Sequence, residues 1–126
     1  MAVWTSDELT RIGAAEELQL ASERRDGSLR RPVTIWVVRD GDDLYVRCMN
    51  GRAGAWFRGT RSRHQGHIRA GGVERDVSFV DADPDPGLND RIDATYRSKY
   101  RLYGANIIGS VVNPASQAST IKLVPR

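Results

Sequence analysis

In the stretch Leu44–His67, LYVRCMNGRAGAWFRGTRSRHQGH, an apolar strand runs into Asn50-Gly51 and is followed at once by aromatic and basic residues. A strand that ends in a glycine turn and opens a short helix exposes backbone N–H groups, and arginines beside such donors make a seat for a phosphate. Gly51 permits a left-handed backbone and lets a ligand come close. Arg52 and Arg58 carry planar guanidinium forks that donate paired hydrogen bonds to an oxyanion. Trp56 and Phe57 offer flat faces on which a ring can stack. These residue types in this order suggest an anionic small molecule that carries an aromatic ring, such as a flavin-type nucleotide; the alternative reading is a surface helix with Trp56 buried and its arginines in water. They do not specify a reaction.

Other positions have two readings. Arg30 and Arg31 precede a β-branched stretch, where they are either a phosphate clamp or two solvated charges on a strand end. Trp36 is either the wall of a ring pocket or part of the core. Arg47 interrupts an apolar strand, and a charge on a buried face needs a partner. That partner is either an acid of this chain or an anionic ligand. Cys48 has no adjacent histidine or lysine to favour a thiolate and reads as a small buried hydrophobe. Tyr96, Tyr100 and Tyr103 fall along one helix face that either packs on the barrel or stands over a cofactor.

No motif suggests a metal. His64 and His67 have Gly66 between them and no cysteine to complete a set. Asp81, Asp83 and Asp85 alternate as in a calcium loop, yet prolines interrupt them and no glutamate closes the pattern. The single cysteine rules out an internal disulfide. No apolar run approaches the roughly 20 residues of a membrane span, and the first residues lack the apolar core of a signal peptide. Together these features favour the cytoplasm. Of 19 basic residues 17 are arginine, but the net charge is only +3. Arginines crowd between Arg24 and Arg75, and acids gather between Asp76 and Asp93. Nucleic-acid binding through the Arg58–Arg69 cluster is therefore the weaker alternative, opposed by the small net charge and the acidic stretch.

The 126 residues make one domain. Trp4-Thr5-Ser6-Asp7-Glu8-Leu9 reads as a capping box with a hydrophobic staple, opening a helix over Asp7–Ile12. Leu18–Ser22 alternates as a half-buried strand does. Leu29–Arg39 reads as one long strand, with Thr34 and Trp36 on one face and Val33, Ile35 and Val37 on the other. Leu44–Met49 is a strand, Ala53–Arg63 a short helix, and His67–Ala70 with Arg75–Val80 a hairpin around Gly71-Gly72. A loop over Asp81–Gly87, a helix over Leu88–Tyr103, a short helix after Asn113-Pro114 and a strand over Thr120–Val124 complete the chain. Hairpin connections make the sheet largely antiparallel. The class is α+β, with the sheet curled into a barrel that removes its edges.

The segments RRPVTIWVVRDGDDLYVRCMNGRAGAWFRG, GHIRAGGVERDVSFVDAD and IKLVPR resemble, over nearly the whole length, a family of small bacterial proteins known as domain of unknown function 2255. More distantly, the R-x-P-V-x-x-W strand, the D-G-D-x-L-Y-V hairpin and the N-G-x-x-x-A-W-x-R turn resemble flavin-binding split barrels. Those include pyridoxamine-phosphate-oxidase-like proteins and deazaflavin-dependent nitroreductases. Ala55 stands where the deazaflavin group ends a segment in proline, and Gly59-Thr60 where it has Asn-Leu. The resemblance implies a homodimeric split β-barrel with a groove for FMN or a deazaflavin near the subunit interface. In that groove Asn50, Gly51, Arg52 and Arg58 would hold the phosphate, with Arg31 assisting and Trp36 and Trp56 bordering the ring. The cofactor would carry the redox chemistry of an oxidoreductase. A non-catalytic ligand-binding module, or a structural homodimer on the same scaffold, is the alternative.

Overall fold

The computed structural model describes residues 3–126. Seven strands form one antiparallel sheet: β1 (Leu18–Ser22), β2 (Val33–Ile35), β3 (Val38–Asp40), β4 (Asp43–Val46), β5 (Gln65–Ala70), β6 (Val73–Asp81) and β7 (Ile121–Pro125). Their spatial order is β2-β1-β5-β6-β7-β4-β3. The two edges of the sheet are therefore consecutive segments of chain, joined only by Trp36-Val37. The sheet has to curl until its edges approach each other, and the result is a split half-barrel. Five helices surround it: α1 (Ser6–Ala14), α2 (Ala55–Thr60), α3 (Pro86–Lys99), α4 (Ala105–Val112) and α5 (Pro114–Gln117).

The break at Trp36-Val37 corrects the expectation of a single strand over Leu29–Arg39. Leu29 makes only an isolated bridge to Glu23. β2 pairs with β1 in the register Leu18↔Ile35, whereas β3 pairs with β4 in the register Val38↔Tyr45. β-propensity is uniform across this stretch, but closing a sheet requires a strand to leave one partner and join another. Val37 and Val38 are both fully buried, on opposite faces of the sheet. Val37 joins the main core inside the curl with Leu18, Leu44, Val46, Ile68, Val77 and Leu123. Val38 and Tyr45 join a second core outside it, under Ile92, Tyr96 and Tyr100 of α3 and Val111 of α4.

Helix boundaries follow local chemistry. The Thr5–Glu8 capping box is formed, with Glu8 N–H donating to Thr5 Oγ1 at 3.1 Å and Thr5 N–H to Glu8 Oε1 at 2.9 Å. Trp4 and Leu9 bury in the main core, and Trp4 Nε1 donates to the Leu123 carbonyl at 3.0 Å. α3 starts at Pro86 rather than Leu88, because the Asp85 carboxylate caps it by accepting from Leu88 N–H at 3.0 Å. It ends at Lys99, not Tyr103. The expected helix over Ala53–Arg63 is a 3-10 turn, Gly51–Ala53, followed by the six-residue α2. α4, ANIIGSVV, falls where the sequence pattern predicts no element. It has no charged residue and is too short for its period to be distinguished from that of a buried strand.

Candidate functional site

The Asn50-Gly51 turn links the end of β4 to α2 and is built around a left-handed glycine. Gly51 has φ +65°, and a Cβ there would meet the Ala115 carbonyl oxygen at 2.8 Å. α5 thus packs directly on the turn. The Gly51 N–H donates to the Cys48 carbonyl at 3.0 Å, and the Gly54 N–H to the Gly51 carbonyl at 3.1 Å. Gly54 lies against the Cys48 sulfur so closely that no side chain fits there. The Cys48 N–H is itself held by Ser119 Oγ at 2.8 Å. Burial pushes the Cys48 thiol up, opposed by the Asn50 and Phe57 amides, so this cysteine packs as the sequence suggested.

Beside this turn a cavity of about 410 Å³ opens between β2, the Met49–Trp56 segment and α4. Trp36, Asn50 and Trp56 line it. Around them stand Val33, Ile35, Ile107 and Val111, with Glu17, Thr34 and Ser110 among the polar groups. Trp36 is held in place from behind. Its ring stacks on Tyr100 at 3.8 Å between centroids and 5° between planes, and tilts against Tyr103 at 5.0 Å. The Tyr100 hydroxyl donates to the Glu16 carbonyl at 2.6 Å, and the Tyr103 hydroxyl bonds the Glu16 carboxylate. Trp56 is half-buried, edge-on to Phe57 at 6.4 Å. The two indoles therefore belong to different cores and meet at the cavity.

Arg47 also borders the cavity, and its guanidinium is saturated. Nε donates to Thr120 Oγ1 at 2.9 Å, and Nη1 to Asp93 at 2.5 Å and to the Val111 carbonyl at 2.8 Å. Nη2 donates to the Asn89 side chain at 3.1 Å and to its carbonyl at 3.3 Å. Its side chain has no exposed surface. The partner demanded by this charge, which stands just past the end of β4, is thus Asp93 of α3. That residue was missed because it lies 46 positions further along the chain. The ion pair fixes β4 to α3, α4 and the approach to β7, and brings no net charge to the cavity wall.

The remaining predicted residues stand outside the cavity lining. Gly51 shapes the turn. Arg52 donates through Nε to the Ala118 carbonyl at 2.8 Å and pairs through Nη2 with Asp83 at 3.1 Å. Arg31 and Arg58 are exposed and, among the described residues, pair with no carboxylate. The acids that alternate from Asp81 are each engaged by the fold. Asp81 pairs with Arg61 at 2.9 Å, Asp83 pairs with Arg52, and Asp85 caps α3. The Arg61 hydrogen bond lowers the Asp81 pKa. His64 and His67 are not neighbours in a site: His67 Nδ1 faces Asp76 at 2.9 Å across the β5–β6 hairpin.

Comparison with known proteins gives a family and a fold. A family model described as an uncharacterised protein conserved in bacteria, DUF2255, matches residues 8–123. No curated protein matches the chain. Among solved structures, an F420 reductase superposes with a TM-score of 0.57 at 15% identity, covering 94% of this chain and 90% of its own. A conserved hypothetical protein from Mycobacterium tuberculosis gives 0.65 at 12%, with 98% and 82% covered. An FAD-binding protein from Mesorhizobium loti gives 0.61 at 15%, with 99% and 92% covered. At these identities the likeness is one of fold, and that fold is the split barrel.

Proposed function

The chain belongs to the DUF2255 family of uncharacterised bacterial proteins, and we propose that it binds the planar ring of a flavin or deazaflavin nucleotide between Trp36 and Trp56 and serves as an oxidoreductase. The observation that carries this reading is the cavity itself. It lies within the size range of small-molecule pockets, and its walls combine two indoles with aliphatic side chains. Among the described residues the only guanidinium on its wall, that of Arg47, is neutralised, so the interior suits an uncharged aromatic ring rather than a phosphate. A phosphate would then rest at the rim, on the Asn50-Gly51 turn with Arg52, Arg58 and Arg31. The bound ring would supply hydride chemistry, while the protein's own part would be to hold and shield it. The F420 and FAD named for two structural neighbours are consistent with this choice of ligand.

The test is a titration of the purified protein with FMN, FAD and a deazaflavin, followed by tryptophan emission and melting temperature. Saturable quenching and a raised melting temperature are expected, with weaker binding in Arg52→Ala and Arg58→Ala variants that still fold. Unchanged affinity in both variants would remove those arginines from the site. A colourless protein whose melting temperature responds to none of the three ligands would reject the reading and leave the non-catalytic module.

A second proposal is a homodimer, favoured by one observation. Met49 and Ile107 at the cavity mouth are 63% and 50% exposed, and Leu102 beside α4 is 93% exposed. Such apolar surface is expected to be covered. Sedimentation velocity showing a monomer at micromolar concentration would overturn it.

A further inference from the structure

On another side of the molecule, Gly13, Arg39, Ala94, Thr95, Ser98, Lys99 and Arg101 line a shallow cleft of about 380 Å³ between the end of α1, β3 and the last turn of α3. Three of these residues are cations and none is an acid. Among the described residues, neither Arg39 nor Lys99 nor Arg101 lies within ion-pair distance of a carboxylate. Each is oriented by a backbone carbonyl instead. Arg39 Nε donates to Gly41 O at 2.7 Å, Lys99 Nζ to Val37 O at 2.6 Å, and Arg101 Nη1 to Ser98 O at 3.0 Å. Arg39 therefore keeps both its terminal amino groups, Lys99 keeps two N–H donors and Arg101 most of its fork. Gly13 makes room for this arrangement, since a Cβ there would crowd the Arg39 stem at 3.3 Å.

Three like charges lining one cleft repel one another, and among the described residues the offset is partial, the carboxylate that acts on Lys99 being Glu16. The nearby acids are engaged elsewhere: Asp40 pairs with Arg91 at 3.3 Å, and the Glu16 carboxylate is bonded by the Tyr103 hydroxyl. The carbonyl end of α3 brings about half a negative charge, well short of three positive ones. We propose that this cleft binds a tetrahedral oxyanion, a sulfate or phosphate group, gripped by Arg39, Lys99 and Arg101 with the Ser98 hydroxyl in reach. The site is separate from the tryptophan-lined cavity and does not rest on its reading, although the two back onto adjacent residues of the β2–β3 break, Trp36 and Val37.

The state of Lys99 supports this assignment. Burial lowers its pKa to about 8, opposed only by Glu16. The groups that act on its ammonium are the Tyr100 ring at 5.1 Å, the Val37 carbonyl and Glu16 from the α1–β1 connection, while Arg39 and Arg101 line the same cleft. An anion would favour the charged form and raise that pKa. Anion affinity is thus highest below about pH 8 and falls as pH rises through it.

Sulfate is the probe for the pH series, because its charge is constant over this range. The full chain is titrated with sulfate at constant ionic strength, and binding is followed by calorimetry and by the backbone amide shifts of residues 98–101. Saturable binding is expected, weakened at least about tenfold by Arg39→Gln and by the exposed change Arg101→Gln, since each removes a charge-assisted contact. The control Arg24→Gln, on another surface, leaves it unchanged. Lys99→Met flattens the pH dependence. A second arm compares inorganic phosphate with phenyl phosphate. Tighter binding of the ester identifies the anion as the end of a larger ligand, and equal or weaker binding identifies a free ion. A response that never saturates, or an equal loss in the Arg24 control, would overturn the site and leave only general charge screening.

Discussion

A buried guanidinium is tolerated only when every donor finds an acceptor, because the desolvation cost is otherwise unrecovered. Arg47 meets that condition through Thr120, Asp93, Val111 and Asn89. Asp93→Ala leaves the remaining contacts but strips the counter-charge, and is expected to lower unfolding free energy by about 3–5 kcal/mol. Urea denaturation checks this, and a loss below about 1 kcal/mol, the scale of an exposed pair, would show that the ion pair is solvated. The sequence showed that position 47 needed a partner, because a charge between Val46 and Cys48 violates the apolar pattern. It could not show which acid answers, since pairing across two elements leaves no trace in local spacing. The same limit applies to Arg52: its guanidinium chemistry was legible, while its engagement with Ala118 and Asp83 depends on where α5 and the acidic loop come to rest.

Elements governed by local chemistry were read closely. The capping box of α1, the Gly71-Gly72 hairpin and the Asn50-Gly51 turn each depend on a few adjacent residues, and each is present. Gly51 gives this a quantitative form. Its left-handed φ penalises any Cβ by about 1 kcal/mol, and the Ala115 carbonyl lies within 2.8 Å of where that Cβ would sit. Gly51→Ala is therefore expected to cost more than the backbone term alone, about 2 kcal/mol or above. Gly41→Ala has a similar φ of +62° and open space, so it should cost only the backbone term. Equal midpoints for the two variants in thermal melts would refute the packing of α5 on the turn. Elements that depend on long-range pairing were read poorly. The division of Leu29–Arg39 into β2 and β3 is invisible locally, because Val, Ile and Trp suit either partner. α4 escaped notice because it has neither charges nor caps to announce it.

At the scale of the molecule the division of that strand is the decisive feature. β2 and β3 lie at opposite edges of the sheet, so the two residues between them close the half-barrel and also join its two cores. Val37 belongs to the inner core and Val38 to the outer one. Neither core can be lost while the other keeps its full packing, because β4 presents Leu44 and Val46 to the inner core and Tyr45 to the outer one. The curled antiparallel architecture was inferable from the run of hairpins, but this sharing was not, since it follows from edge closure rather than from any residue's preference. It predicts a single cooperative transition. Trp4 reports on the inner core and Trp36 on the aromatic cluster outside it. Variants that keep only one of these two indoles, the others replaced by phenylalanine, provide separate fluorescence probes. After correction for each variant's own stability by circular dichroism, the fluorescence and circular-dichroism midpoints in urea should coincide for both. If the Trp36 signal were lost at lower urea than the Trp4 signal, α3 and α4 would form a layer able to detach. The cavity wall behind Trp36 would then be a mobile cover rather than a fixed support.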